Sequence, residues 1–450
     1  MQSKKRSRQM DMLHGSLLDK ILLFALPLAA SSVLQQLFNS ADAAVAGRFA
    51  GSQALAAVGG NAPVVSLIIN LFVGMSVGAN VIIANYIGQK NEEKVHEAVH
   101  TVYVMALLLG IIMLIMGQLI AKPILILIDT PEDVINLATL YLRIYFCGMP
   151  CVMIYNFGAA ILRSIGDTKR PLYCLIISGI INVILNVFFV VLCQLSVAGV
   201  AIATIIADTV SAGLVTWFLL RSDDIIKLNL RELTFKKEHV KKVIKIGAPA
   251  GLQGAVFSVS NVCIQAGING FGTAAIAGCA AALNFEYFTY FTTNAFVQAA
   301  VTFVSQNYGA RQFERCKKAL LLSLASGMLV TALMSIIFVI GRTSFVSIYT
   351  NDPAAIKYGV VRMVVVELFE FLVCLYEIPG GALRGIGHSL LPAILTVFGS
   401  CGLRIVWIYT VFQKVHTFPV LMSVYLVTWI VTSILVLSAY FMVTRKVYRT

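Results

Sequence analysis

Leu162-Arg163-Ser164-Ile165-Gly166 recurs 221 residues further on as Leu383-Arg384-Gly385-Ile386-Gly387. The match is not isolated. At the same displacement Gly88 falls on Gly309, Lys90 on Arg311, Lys94 on Arg315 and Pro171 on Pro392, without a gap from about residue 54 to residue 171. The intervening loops also agree in character, Asp129-Thr130-Pro131 against Thr350-Asn351-Asp352-Pro353. With one residue of slippage Pro27 meets Pro249 and Asn39 meets Asn261. Chance supplies one such pairing but not a gapless series of this length. The chain is a duplication, and its fold should be two copies of one unit.

Composition says what that unit is. Apolar residues make up 59% of the 450, charged residues 12%, and the mean hydropathy is +0.86. A soluble globular domain carries roughly 25% charged residues, so there is too little charge here to cover a water-exposed surface. The net charge of +13 does not point to nucleic acid, because Lys and Arg sit in short clusters between long apolar runs. A bilayer-spanning helix needs about 20 mostly apolar residues. Runs of that kind centre near residues 33, 70, 110, 147, 182, 208, 255, 290, 330, 370, 402 and 432.

Twelve helical spans are therefore expected, six in each copy: an all-α integral membrane protein with lobes at 1–220 and 243–450, joined by a cytoplasmic linker at 221–242. Six is even, so the copies insert the same way up. They are parallel repeats, with a site expected between them. That arrangement suits an alternating-access transporter better than a channel or a receptor.

Orientation follows from the positive charges. With the N-terminus inside, the cytoplasmic segments hold Lys90, Lys94, Arg163, Lys169, Arg170, eight basic residues from Arg221 to Lys245, Arg311, Arg315, Lys317, Lys318, Arg384, Arg445, Lys446 and Arg449. The outer loops hold little beyond Arg48, Lys122, Arg342 and Lys414, alongside Asp129, Glu132, Asp133 and Asp352. Both termini are expected in the cytoplasm, and the compartment is a plasma membrane. Lys4, Lys5, Arg6 and Arg8 before the apolar stretch Ile21–Ala30 resemble a signal peptide. The helical pattern, however, runs on to about Phe49 and recurs mid-chain, which makes it the first span.

All but one of the nine cysteines lie in apolar stretches without a CxxC pair, and read as small core residues. None of the six histidines lies deep in an apolar run. No metal centre or cofactor is expected, other than H⁺ or Na⁺ as a coupling ion.

These features together resemble the multidrug and toxic compound extrusion (MATE) family. The carriers are Ala25-Leu26-Pro27 opening the first span, Asp42 with Ala46-Gly47-Arg48 closing it, and Ile87-Gly88-Gln89 after the second. Leu162-Arg163-Ser164-Ile165-Gly166-Asp167-Thr168-Lys169 after the fourth is the most specific, with its echo after the tenth. The resemblance implies a pair of six-helix lobes and export of organic, often cationic, compounds against an inward proton or sodium gradient. The Arg-x-x-Gly turns also have a local reading. Arg163 and Arg384 fall at helix C-termini, where a cation suits the dipole, and Gly166 and Gly387 can take left-handed turns.

Ionisable and polar groups inside the bilayer are costly and mark function. Counting at 1.5 Å per residue, Asp42, Asn186 and Thr204 lie roughly 10–12 Å below the outer edge on spans 1, 5 and 6. Asn182 is one turn below Asn186 and Asp208 one turn below Thr204. A carboxylate, two carboxamides and a hydroxyl at one level can line a cation or proton site. The set resembles the family's N-lobe cation site at Asp42, Asn182 and Thr204. It departs at Asn186, where some members carry a second Asp, and this favours a proton over sodium.

In the second lobe Glu286, Glu367, Glu370 and Glu377 stand out, the last three within roughly an 80° arc of a helical span 10. Glu377 reads as interfacial, and Arg362 is placed to neutralise one acid. Glu286, Glu367 and Glu370 with Tyr287 and Tyr290 would suit organic cations through charge pairing and cation–π contact. The acid that the family carries on span 7 is missing, with Phe257, Ser258 and Val259 in that region. Partners are thus small organic substrates and lipid, with a monomer expected and nucleic acid excluded. A lipid-linked or polysaccharide flippase would carry a more basic cavity. A membrane-embedded transferase would need a His/Asp or Asp/Glu constellation at a membrane face, and none is seen.

Overall fold

The computed structural model describes residues 10–128 and 130–448. Lys4, Lys5, Arg6, Arg8, Asp129 and Arg449 of the charge reading lie outside the described residues. Among the described residues every regular element is helical, and helices cover all twelve expected centres. Span 1 is Leu18–Val45, span 2 Ser52–Gly88, span 3 Glu92–Leu127, and span 4 the bent pair Glu132–Cys147 and Met149–Ser164. Span 5 is Lys169–Val187, span 6 Ser196–Leu220, span 7 Lys237–Asn269, span 8 Thr273–Gly309 and span 9 Phe313–Ile340. Span 10 is broken into Pro353–Val365, a 3₁₀ stretch Glu367–Val373 and Cys374–Gly385. Span 11 starts as Leu390–Thr396 and resumes as Leu403–Tyr409, and span 12 is Phe418–Val447.

Nine of these helices are long and apolar enough to cross a membrane by that criterion alone, ten with the bent pair. Span 8 is too polar and span 10 too interrupted to meet it. They carry the buried glutamates, so the weakness of their membrane signal and their chemistry have one cause.

The duplication is visible in the backbone. Left-handed φ values occur at Gly51 and Gly272 (92° and 88°), Lys90 and Arg311 (56° and 58°), and Gly166 and Gly387 (86° and 88°), each pair 221 residues apart. Span 4 ends with Gly166 N bonded to Arg163 O at 2.9 Å and Asp167 N to Leu162 O at 3.1 Å. Span 10 repeats this with Gly387 N to Arg384 O and His388 N to Leu383 O, both at 2.9 Å. Those two bonds with a left-handed residue between them are a Schellman cap. The cap satisfies orphan carbonyls at a helix end and needs a glycine where no Cβ clash is tolerated.

The chain forms two compact units, Met1–Asp11 with Ala30–Ala248 and Met12–Ala29 with Pro249–Thr450. Spans 1 and 7 each contribute to both, with the change falling beside Pro27 and Pro249. In the first unit, spans 2 and 7 approach closely. A Cβ on Gly78 would strike Val243 O, and one on Gly247 would strike the Met75 backbone. In the second, Gly278 of span 8 meets Ala355 and Gly359 of span 10 in the same way. Small residues let membrane helices gain van der Waals contact where no hydrophobic drive separates helix from lipid.

Within the first unit, the segment after Leu220 is bonded to the start of span 3. Asn229 N donates to His100 Nε2 at 2.9 Å and Lys236 N to Thr101 Oγ1 at 3.2 Å. His96 pairs with Glu232 at 3.0 Å, and Glu97 meets Lys236 at 3.3 Å and His239 at 3.2 Å.

Candidate functional site

In the first unit a polar group is assembled from three spans. Asn186 donates through Nδ2 to Asp42 Oδ1, and also to Asn182 Oδ1 at 3.1 Å. Thr204 Oγ1 lies 3.5 Å from both Asp42 Oδ2 and Asn182 Nδ2, and 2.9 Å from its own span's Val200 O. Asn182 and Asn186 meet because residues four apart share a helix face. Asp42, Asn182 and Asn186 are 8%, 5% and 0% exposed. Asn186 Oδ1 is buried with no partner.

Two spans change pitch immediately beyond the group, as π-helical turns at Ala46–Ala50 and Phe188–Leu192. Such turns recur where a side chain must be re-aimed at a functional site. Asp208 stands apart and half-buried, bonded to none of the four.

In the second unit the acids are interior. Glu286, Glu367 and Glu370 are 6%, 0% and 5% exposed, whereas Tyr287 and Tyr290 are 40% and 39% exposed. Glu286 is held by Arg362, with Nε on Oε1 at 2.6 Å and Nη2 on Oε2 at 2.8 Å. Arg362 also lies 5.6 Å from the centre of the Tyr425 ring. Glu367 Oε1 accepts from Thr289 Oγ1 at 2.7 Å, and Glu367 and Glu370 each bury an Oε2 without a partner.

Both residues lie on the 3₁₀ stretch of span 10, where side chains three apart eclipse. They are therefore closer to one line than an α-helical arc would place them. Glu377 lies beyond that stretch and is paired, with Gln253 at 3.1 Å and Arg384 at 3.6 Å.

The helix-end arginines differ. Arg384 donates to Gln253 Oε1 at 2.8 Å as well as meeting Glu377. Arg163, its repeat partner, has a buried Nε without an acceptor, and Asn156 stands where the second copy has Glu377.

His96, His100 and Glu232 bring three ligand-type atoms within 4.8 Å of one another. They do not form an open metal site. His100 Nε2 already accepts the Asn229 amide and its Nδ1 faces His96 O at 2.7 Å, which leaves no free lone pair.

Spans 7 and 11 hold a group that a search for acids passes over. Arg404 is 2% exposed, its Nη1 donates to Asn261 Oδ1 at 2.9 Å, and its guanidinium lies 4.6 Å from the Tyr425 ring centre and 5.5 Å from that of Phe257. The readable signal was a lone cation inside an apolar run.

The comparisons with known proteins agree with this architecture. The family model MatE matches twice, at residues 27–188 and 249–410, two stretches displaced by 222 residues. The probable multidrug resistance protein YoeA of Bacillus subtilis is 27% identical over 85% of this chain and 84% of its own length. The probable multidrug resistance protein NorM of Thermotoga maritima is 26% identical over 84% and 82%. An outward-facing multidrug resistance MATE transporter of the MOP superfamily superposes with a TM-score of 0.92 at 20% identity, over 99% of this chain and all of that one.

Proposed function

The chain belongs to the MatE family, and from that premise we propose that it is a proton-coupled antiporter that exports small organic, often cationic, compounds by alternating access. It is a transporter rather than an enzyme and needs no enzymatic cofactor. The relatives named for multidrug resistance support the export of varied compounds. The charge asymmetry of the loops supports a plasma-membrane protein with both termini inside.

The observation that carries the coupling proposal is Asp42. It is a buried carboxylate on span 1, and Asn186 turns its NH₂ group toward it. A carboxyl that gains and loses a proton needs adjustable donors and acceptors beside it, and Asn186 and Thr204 supply them. The protonation state of a carboxyl depends on its hydration and its neighbours. A conformational change that wets and dries Asp42 would thus take up a proton on one side and release it on the other, biasing the equilibrium between states. Asn182, Thr204 and Asp208 complete the proposed coupling site. Glu367 and Glu370, with Glu286 as a partner already paired to Arg362, and Tyr287 and Tyr290 on the exposed face of span 8, are the proposed substrate contacts. Arg163 and Arg384 with Gly166 and Gly387 are proposed as end-caps that fix the inner helix termini.

The test is uptake of a cationic dye into everted vesicles under separately imposed gradients. A pH gradient should drive accumulation with sodium absent. Accumulation only under a sodium gradient would replace the proton with Na⁺, and accumulation under neither would end the antiport reading.

A further inference from the structure

We propose that the second unit carries a site for the carboxylate of an organic substrate, built on Arg404 with Asn261, Phe257 and Tyr425. It deepens the export reading by naming a second substrate class, acids and zwitterions beside cations, and in that sense rests on it.

Tyr425 lies near two buried guanidinium groups, and the contrast between them carries the inference. Arg362 presents its Nε–Nη2 edge to Glu286, the two-pronged fit of a guanidinium to a carboxylate. Arg404 lies against the same ring and is as deeply buried, but its Nε has no acceptor. Its side-chain hydrogen bond leaves from Nη1, to Asn261, and among the described residues no hydrogen bond or ion pair reaches its Nε–Nη2 edge. The described ion pairs of this unit use Lys317, Arg362 and Arg384, and none includes Arg404. Ring faces stabilise the cation from above and below but supply nothing in its plane. A buried charge without a partner is costly, and a membrane protein that keeps one has a use for it.

Access is given by Asn261. It is exposed, and with Ser258, Gln265 and Asn269 it forms a polar stripe at helical spacing along span 7. A polar stripe on a membrane helix faces water or protein rather than lipid. A ligand on that face would meet the Asn261 amide, which is bonded to the Arg404 guanidinium, with Phe257 and Tyr425 beside that cation. A planar carboxylate attached to an aromatic body fits these groups.

The experiment is fluorescence titration of the purified full-length protein with dansylglycine and with its methyl ester. Wild type should bind the acid about tenfold or more tightly than the ester, the range for a hydrogen bond to a charged group. Arg404→Gln should remove that preference by weakening the acid alone. Asn261→Asp supplies a protein carboxylate to the same guanidinium. It should abolish the preference without lowering the thermal midpoint, and so reads the site even if Arg404→Gln fails to fold. Equal wild-type affinity for acid and ester would overturn the proposal, as would an Asn261→Asp protein that still prefers the acid. So would an Arg404→Gln protein that loses both ligands equally. Cationic dye uptake by the same wild-type protein in everted vesicles reports separately on export, so failure of either reading is seen alone.

Discussion

The polar group on spans 1, 5 and 6 and the group on spans 7, 11 and 12 stand on corresponding helices of a duplicated chain, yet they carry opposite charge. At a displacement of 222 the position of Asp42 is held by Ile264, which is buried. At the same displacement, which is also that of the two family-model matches, Asn182 falls on Arg404 and Asn186 on Ile408. The acids of the second unit have no counterparts either: at 221, Glu286, Glu367 and Glu370 fall on Val65, Phe146 and Met149. Helix ends survived duplication because every copy must satisfy its terminal carbonyls and keep its topology. Interior polar residues were free to diverge, because any one of them is compatible with the same helix.

The contrast predicts different failures in the two units. The largest effect on stability belongs to the second, where charges are paired. Glu286→Gln leaves Arg362 buried and uncompensated, which should cost about 3–5 kcal/mol and lower the thermal midpoint of the purified protein sharply. Adding Arg362→Gln to Glu286→Gln should recover most of the loss. A single variant as stable as wild type would show that the pair is not closed in solution.

Next comes the first unit, where Asp42 is held by neutral groups. Asp42→Asn strands no buried cation, so the thermal midpoint should move little. Gradient-driven dye uptake should nevertheless fall on the order of tenfold to a hundredfold, the size of a typical coupling free energy. Uptake at wild-type level by a well-expressed Asp42→Asn protein would move the coupling to the glutamates of the second unit.

Smaller effects test what the units share. Gly166→Ala and Gly387→Ala should each cost about 1–2 kcal/mol, the penalty of an L side chain in a left-handed turn, and by equal amounts. Markedly unequal losses in paired thermal melts would break the equivalence of the two caps. Smallest of all, Lys90→Gly should be neutral or stabilising by less than about 1 kcal/mol, because glycine removes the left-handed penalty but adds unfolded-state entropy. A destabilised Lys90→Gly protein would mean that the lysine side chain, and not its backbone, matters there.

Much of the fold was legible in one dimension. Apolar length locates a span, and a displacement of 221 exposes the repeat. Depth counting also put Asp42, Asn186 and Thr204 at one level, because rise per residue is fixed along a helix. The Glu367–Glu370 pair shows where that reasoning stops. An α-helical arc was the reasonable expectation, but the local pitch is 3₁₀, and the two carboxyls eclipse. The stretch packs against spans 8 and 9, contacts that the local sequence does not contain.

By itself, then, the sequence determined the all-helical architecture and the duplication, since each rests on signals local to a segment or on direct self-comparison. Which charges are spent and which are free was decided only by the tertiary structure. Glu286 and Arg362 lie 76 residues apart, Arg404 and Asn261 lie 143 apart, and Asp42 and Asn186 lie 144 apart. Whether a buried charge has a partner depends on rotations and crossings of whole helices, which side-chain identity along the chain does not encode locally.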